Sequence, residues 1–224
     1  MTPLRLPWLR AALFALALPC AGAGAQTAEI VATVTDDHGR PVVDAVVVAV
    51  PADGVPRSGA RSRDVVIDQV DKEFIPRVLA VLVGTLVAFP NHDNVRHQVY
   101  SFSPAKRFDL PLYSGVPAQP IVFDKPGVVV LGCNIHDWMI GYVYVAESPY
   151  FAKTDADGKA VIGDLAPRIY RVRVWHPDQE GTENATRRDI DATQGARVDA
   201  AWQLKLKPEM KIRRAPTGER GGRY

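Results

Sequence analysis

Residues 127–146 read GVVVLGCNIHDWMIGYVYVA. The segments 127–131 and 140–145 are β-branched and apolar, the composition that suits a pleated, largely buried strand. Between them stands Gly132-Cys133-Asn134-Ile135-His136-Asp137-Trp138-Met139, a tight connection from one strand to the next. That connection carries a thiol, an imidazole and a thioether. Together they form a soft-to-borderline donor set, which suits copper better than a hard, carboxylate-loving cation. The stretch therefore predicts two neighbouring strands joined by a metal-binding loop.

Outward from this stretch the same pattern repeats. Residues 78–89 (VLAVLVGTLVAF) place Val81, Val83, Val87 and Phe89 on one face at a period of two, with Gly84 marking a turn or bulge. Residues 99–102 and 121–123 are further strand candidates. Nearer the N-terminus, residues 28–34 lead to a turn at Asp36-Asp37-His38-Gly39, and residues 42–50 run to Pro51. The turn-rich, basic segment 51–63 (PADGVPRSGARSR) reads as a loop or linker. Beyond 146, Asp155-Ala156-Asp157-Gly158 reads as a hairpin turn, with strands expected over 159–162, 170–175 and 198–206. No helical periodicity follows the first 25 residues, so the expected class is all-β.

Those first residues form an export signal by their own pattern. Arg5 and Arg10 make a basic start, residues 11–18 (AALFALAL) an apolar core too short to span a bilayer, and Ala23-Gly24-Ala25 a cleavage site. Cys20 opens a second reading, a lipidated cysteine, which the preceding Pro19 fits poorly. The expected mature chain is periplasmic, without a membrane span, and Cys133 is its single cysteine. One cysteine excludes an internal disulfide, and an unpaired thiol in an oxidising compartment calls for burial or ligation. With 47% hydrophobic and 23% charged residues, the composition is that of a soluble globular protein. A formal net charge of +2 gives no reason to expect nucleic acid.

A site of two histidines, one cysteine and a long axial methionine needs one more imidazole. The run Val87-Ala88-Phe89-Pro90-Asn91 leads through a turn to His97, the candidate. His92 is the alternative, although its place before Asp93-Asn94 reads as exposed loop. His38 and His176 read as surface or structural residues, and Trp175 and Trp202 as core. A cysteine–histidine nucleophile is the other use of such a pair. A histidine three residues away, with a methionine just beyond, is better explained as one metal loop. The chain carries no phosphate-binding glycine loop, HExxH motif or outstanding carboxylate pair, and no enzymatic activity is expected.

The spacing Cys133-x-x-His136-x-x-Met139 resembles the copper-ligand loop of the cupredoxins, the equally short loop of the amicyanins in particular. The stretch Phe74-x-Pro76 … Val81-x-x-Gly84-x-x-Val87-x-Phe89-x-Asn91 … His97 resembles that family's approach to its first histidine ligand. The resemblance implies a cupredoxin-like Greek-key β-barrel or sandwich over 62–146 holding one copper ion per chain. His97, Cys133 and His136 are then the strong equatorial ligands and Met139 the weak axial one. Gln98 stands where the family has an asparagine that braces the cysteine loop. Asp137 and Trp138 stand where smaller or apolar residues, often proline, are usual. A carboxylate close to the ligand edge favours Cu(II).

The flanks carry a second resemblance. Val34-Thr35-Asp36 … Gly39-Arg40-Pro41-Val42 … Ala45-Val46-Val47 is similar to the opening of a carboxypeptidase-regulatory-like (transthyretin-like) β-sandwich. Thr154-Asp155-x-Asp157-Gly158 … Leu165-x-Pro167 … Tyr170-x-Val172 is similar to its closing half, with Arg168 where that family has glycine. The implied order is a signal over 1–25, the sandwich's first part over 26–58, the copper domain over 62–146, the remainder over 147–207 and a basic tail over 208–224. A single larger β-protein without a clean boundary is the alternative. From Lys205 onward seven Lys/Arg face two Asp/Glu, read as a solvated tail or a docking arm for an acidic partner.

Two functional classes follow. One is a one-electron carrier serving a periplasmic redox partner protein. The other is a copper-handling protein, or a binding or scaffolding module (carbohydrate-binding-like folds included) with a structural copper site. A shared ligand loop is a weak guide to a shared pathway, methylamine utilisation included. Nothing in the sequence sets the oligomeric state.

Overall fold

A computed structural model of the protein describes residues 27–54, 65–117 and 119–208. The expected export signal with Cys20, most of the 51–63 linker, and the basic tail from 209 onward lie outside the described residues. The fold is all-β, as expected. The described residues include one helical turn, a 3-10 turn at Glu183–Thr186, and no helix long and apolar enough to cross a membrane.

The strands before residue 54 and after residue 146 share one pair of sheets. In one, Lys159–Leu165, Ala28–Asp36 and Arg197–Leu204 lie side by side. In the other the order is Tyr150–Lys153, Val46–Pro51, Ile169–Trp175, Arg188–Asp191. Alternate residues turn inward, as a period of two demands: Ile30, Ala32 and Val34 from one sheet meet Val47, Tyr170 and Val172 from the other in one buried cluster. Val46 and Val48, on the opposite face of their strand, are buried in a different cluster with Val78, Tyr144 and Trp175. Burial on both faces is why this strand is an unbroken apolar run rather than an alternating one.

Residues 65–146 build their own sheets and their own core. A five-stranded sheet runs Val78–Leu82, His136–Ala146, Gly127–Cys133, His97–Ser101, Phe108–Tyr113. A three-stranded sheet runs Ile121–Phe123, Thr85–Ala88, Val65–Val66. Between them pack Phe74, Val81, Val87, Phe89, Val99 and Leu131. The 78–89 run is therefore two strands in two sheets, broken at Gly84, whose φ of +90° a side chain disfavours. Phe108–Tyr113 contains Pro111, tolerated because this strand lies at the sheet edge.

The eleven-residue strand His136–Ala146 ties the two cores together. Its first residue belongs to the candidate site, and its far half reaches the sandwich. There Tyr142 and Tyr144 pack on Trp175, with ring centroids 5.8 and 5.5 Å apart. Arg173 bridges Glu147 at 2.6 Å and Glu183 at 2.5 Å, and the Tyr144 hydroxyl donates to Glu183. Trp175 and Trp202 are core residues, as expected.

Candidate metal centre

The centre is assembled on a hairpin tighter than the sequence suggests. The sequence reading ends one strand at Leu131 and starts the next at Ile140. In the structure both strands run on, through Cys133 and from His136, and only Asn134-Ile135 form the turn. The pairing jumps from Gly132↔Ile140 to Cys133↔His136, so Asp137, Trp138 and Met139 are extra residues on one side of the ladder. Irregularities of this kind bend a strand and re-aim its side chains. The third donor arrives from the neighbouring strand: His97 opens His97–Ser101, which pairs with the cysteine strand through Gly132↔Tyr100.

Three donor atoms converge there. The Cys133 Sγ lies 3.7 Å from His97 Nδ1 and 3.8 Å from His136 Nδ1, and the two nitrogens are 3.2 Å apart. A triangle with sides of 3.2, 3.7 and 3.8 Å has a circumradius of about 2.1 Å. That matches the roughly 2.0–2.3 Å bonds that nitrogen and thiolate sulfur make to a first-row metal ion. The three side chains thus present a trigonal seat of metal-ion size. Among the described residues this is the one group of three histidine, cysteine or carboxylate side chains so placed.

The seat is buried at its base and open at one corner. His97 is fully buried and Cys133 is 3% exposed, whereas the His136 ring is partly exposed and lies 5.1 Å, centroid to centroid, from Trp138. Met139 is buried in the same apolar cluster as Cys133. Both residues also line one cleft of about 460 Å³, along with Tyr100, Phe102 and Asp137. His92 stands apart, with its Nδ1 2.7 Å from Asp68 on the surface. Gln98 does not brace the cysteine loop; its amide donates to Asp109 at 2.7 Å.

Sequence reasoning missed Asp93. Its Oδ2 lies 2.6 Å from His97 Nε2, and the carboxylate also accepts the backbone N–H groups of Asp71 and Lys72 at 2.7 and 2.9 Å. The signal available in the sequence was an acid four residues before the histidine, within an Asn91-x-Asp93 turn. Burial opposes ionisation of Asp93. Hydrogen bonds from Lys72, His97 and Asp71 outweigh it and hold the carboxyl below its ordinary value. The His136 imidazole is held below its ordinary value by burial first, then by the electrostatics of its neighbours His97 and Lys72, so it favours the neutral, ligating form.

No protein-family model and no curated protein matches the chain. Solved structures do resemble parts of it. A purple cupredoxin from Nitrosopumilus maritimus shares 26% identity over 38% of this chain and 100% of its own, with a TM-score of 0.33. A Cu-containing nitrite reductase from Thermus scotoductus SA-01 shares 27% identity over 53% of this chain, with a TM-score of 0.36; the match spans 28% of the reductase. An oxidized mutant of amicyanin shares 19% identity over 46% of this chain and 99% of its own, with a TM-score of 0.35.

Proposed function

We propose that residues 65–146 form a cupredoxin-type domain that holds one copper ion and that the protein is an exported one-electron carrier rather than an enzyme. The observation that carries this reading is the His97–Cys133–His136 triangle. Its donors are one thiolate sulfur and two imidazole nitrogens, with a thioether, Met139, in the same cluster. Zinc in a closed site asks for a fourth strong ligand. A trigonal cysteine and two histidines with only a weak thioether beyond is the set that suits copper. Bound copper supplies the Cu(I)/Cu(II) couple.

The chain's own residues do the rest. Burial of His97 and Cys133 keeps water from the donors. The strand ends fix the donors at spacings that need little rearrangement between two charge states. His136 is the ligand with a ring edge toward solvent, beside Trp138 and the exposed Ile135, and is the natural point of contact for a redox partner. The N-terminal signal pattern supports a periplasmic setting for that exchange. We read the flanking strands as a single carboxypeptidase-regulatory-like sandwich into which the copper domain is inserted, because 28–51 and 150–204 share both sheets and a core.

The test is a visible absorption spectrum of the purified mature protein titrated with Cu(II). The expected result is an intense thiolate-to-copper band that saturates at one ion per chain and vanishes in Cys133→Ser. A folded protein that develops no band overturns the reading. Met139→Gln, which strengthens axial donation, is expected to keep the band and lower the reduction potential in voltammetry; an unchanged potential removes Met139 from the ligand set.

A copper-handling role is the second reading. It is favoured by the cleft that Cys133 and Met139 help to line, which lets an acceptor dock against the side of the centre where the sulfur residues lie. Rapid loss of copper to a chelator supports it, and retention through repeated redox cycles supports the carrier.

A further inference from the structure

A histidine with no solvent exposure must place its one ring proton against an acceptor, and the choice of acceptor decides which nitrogen keeps a free lone pair. His97 is such a residue. Its Nε2 lies 2.6 Å from Asp93 Oδ2, while its Nδ1 faces His136 Nδ1 at 3.2 Å and Cys133 Sγ at 3.7 Å. An ionised carboxylate can only accept, so Nε2 carries the proton and Nδ1 is bare toward the thiol.

Asp93 is itself held from three directions. Asp71 and Lys72, with consecutive φ values of +52° and +58°, form the turn between Asp68–Val70 and Glu73–Ile75. Their N–H groups point at the two carboxylate oxygens, at 2.7 and 2.9 Å. The Asp93 N–H donates to Asn91 Oδ1 at 3.0 Å. Asn91, buried in turn, donates its amide to the carbonyls of Val95 and Tyr113 at 3.0 and 2.8 Å. The other histidine–aspartate contact in this region, His92–Asp68, is a surface pair with the histidine side chain 65% exposed. Only the Asp93 pair is enclosed and aimed at the donor triangle.

We propose that Asp93 is the positioning residue of the centre: anchored on the 71–72 turn, it fixes the Nδ1-ligating form of His97 and strengthens that imidazole as a donor. The proposal rests on the copper reading for its electronic consequence, but not for the tautomer. A carboxylate behind a ligating imidazole raises its basicity. The centre therefore prefers Cu(II) more than one whose buried histidine donates to a neutral acceptor.

The test pairs a metal-free readout with a metal-bound one. In metal-free protein, long-range proton–nitrogen NMR of His97 is expected to show a protonated Nε2 and a bare Nδ1; the opposite tautomer overturns the clamp, whether or not copper binds. In loaded protein, Asp93→Asn is expected to keep the visible band, weaken Cu(II) binding on the order of 10–100-fold and raise the reduction potential. Asp93→Glu, which keeps the charge, is expected to recover most of the potential, and it serves as the test variant if the asparagine form does not fold. Asp68→Asn, which strips the carboxylate from exposed His92, leaves both quantities unchanged. A potential and Cu(II) affinity indifferent to Asp93→Asn overturn the electronic half of the proposal. A wild-type protein that binds no copper strikes the copper reading instead and leaves the tautomer to decide the clamp.

Discussion

In the sandwich built from 28–51 and 150–204, the Thr154 hydroxyl donates to the Val42 carbonyl at 2.7 Å and accepts the Ala45 N–H at 2.8 Å. Ser148 donates to the Ala49 carbonyl at 2.7 Å, and the buried Asp36 accepts the N–H groups of His38 and Arg40. Each of these side chains closes a turn or strand junction of its own. In the region 65–146, Cys133, His97 and His136 are also inside or partly inside, yet their donor atoms face one another across 3.2 to 3.8 Å. There, too, lies Gln69 Oε1, the one buried side-chain polar atom without a partner among the described residues. Burial of polar atoms alone therefore does not mark a functional centre. What sets the triangle apart is that three side chains able to bind a metal turn their atoms toward one another instead of toward the backbone.

The sharpest way to break this contrast is to exchange the effects of its two halves. Cys133→Ser is expected to abolish the thiolate-to-copper band completely. Thr154→Val is expected to leave that band unchanged while lowering stability by about 2–3 kcal/mol, because the Ala45 N–H and Val42 carbonyl lose their partner in a buried site; urea unfolding of the metal-free protein measures it. A Thr154→Val protein that loses its band shows that the two cores are not separable in this way.

The smallest effect concerns pH. Burial holds the His176 imidazole below its ordinary value, with the Arg77 charge acting the same way and the Asp178 carboxylate against it. Its Nδ1 accepts the Asp178 N–H at 3.2 Å, which requires that nitrogen unprotonated. Below pH about 6.5 the unfolded chain takes up a proton that the folded imidazole resists. Stability then falls as the pH drops through that value toward the lower folded one. His176→Gln is expected to flatten this part of the profile of unfolding midpoint against pH; an unaltered slope assigns the effect elsewhere.

Much of this was legible in the sequence because it rests on local pattern. Period-two runs announced the strands, and Cys133, His136 and Met139 fall within one hairpin, so their neighbourhood follows from spacing. That His97 rather than His92 lies beside Cys133 was readable because a histidine opening a strand is fixed and one in a turn is not. What remained hidden depends on register or distant pairing. The jump from Gly132↔Ile140 to Cys133↔His136 is a property of two strands together. The strand at Phe108–Tyr113 was masked by Pro111, which becomes acceptable only once the strand is known to lie at an edge. Asp93 gains its role from a turn some twenty residues upstream, closed by Asp71 and Lys72, that no local window contains.

The parallel pairing of Ala28–Asp36 with Arg197–Leu204 has a consequence for the order of assembly. Glu29 lies opposite Arg197 and Asp36 opposite Leu204, so this sheet joins the first described strand to the last. Contacts so remote in sequence are slow to form, whereas every strand of the 65–146 sheets emerges before Arg197 does. The region that carries His97, Cys133 and His136 can condense while its frame is still open. The final strand then acts as a latch: until it arrives, Ala28–Asp36 presents a row of unpaired backbone groups on one side, the kind of edge that recruits strands from other chains.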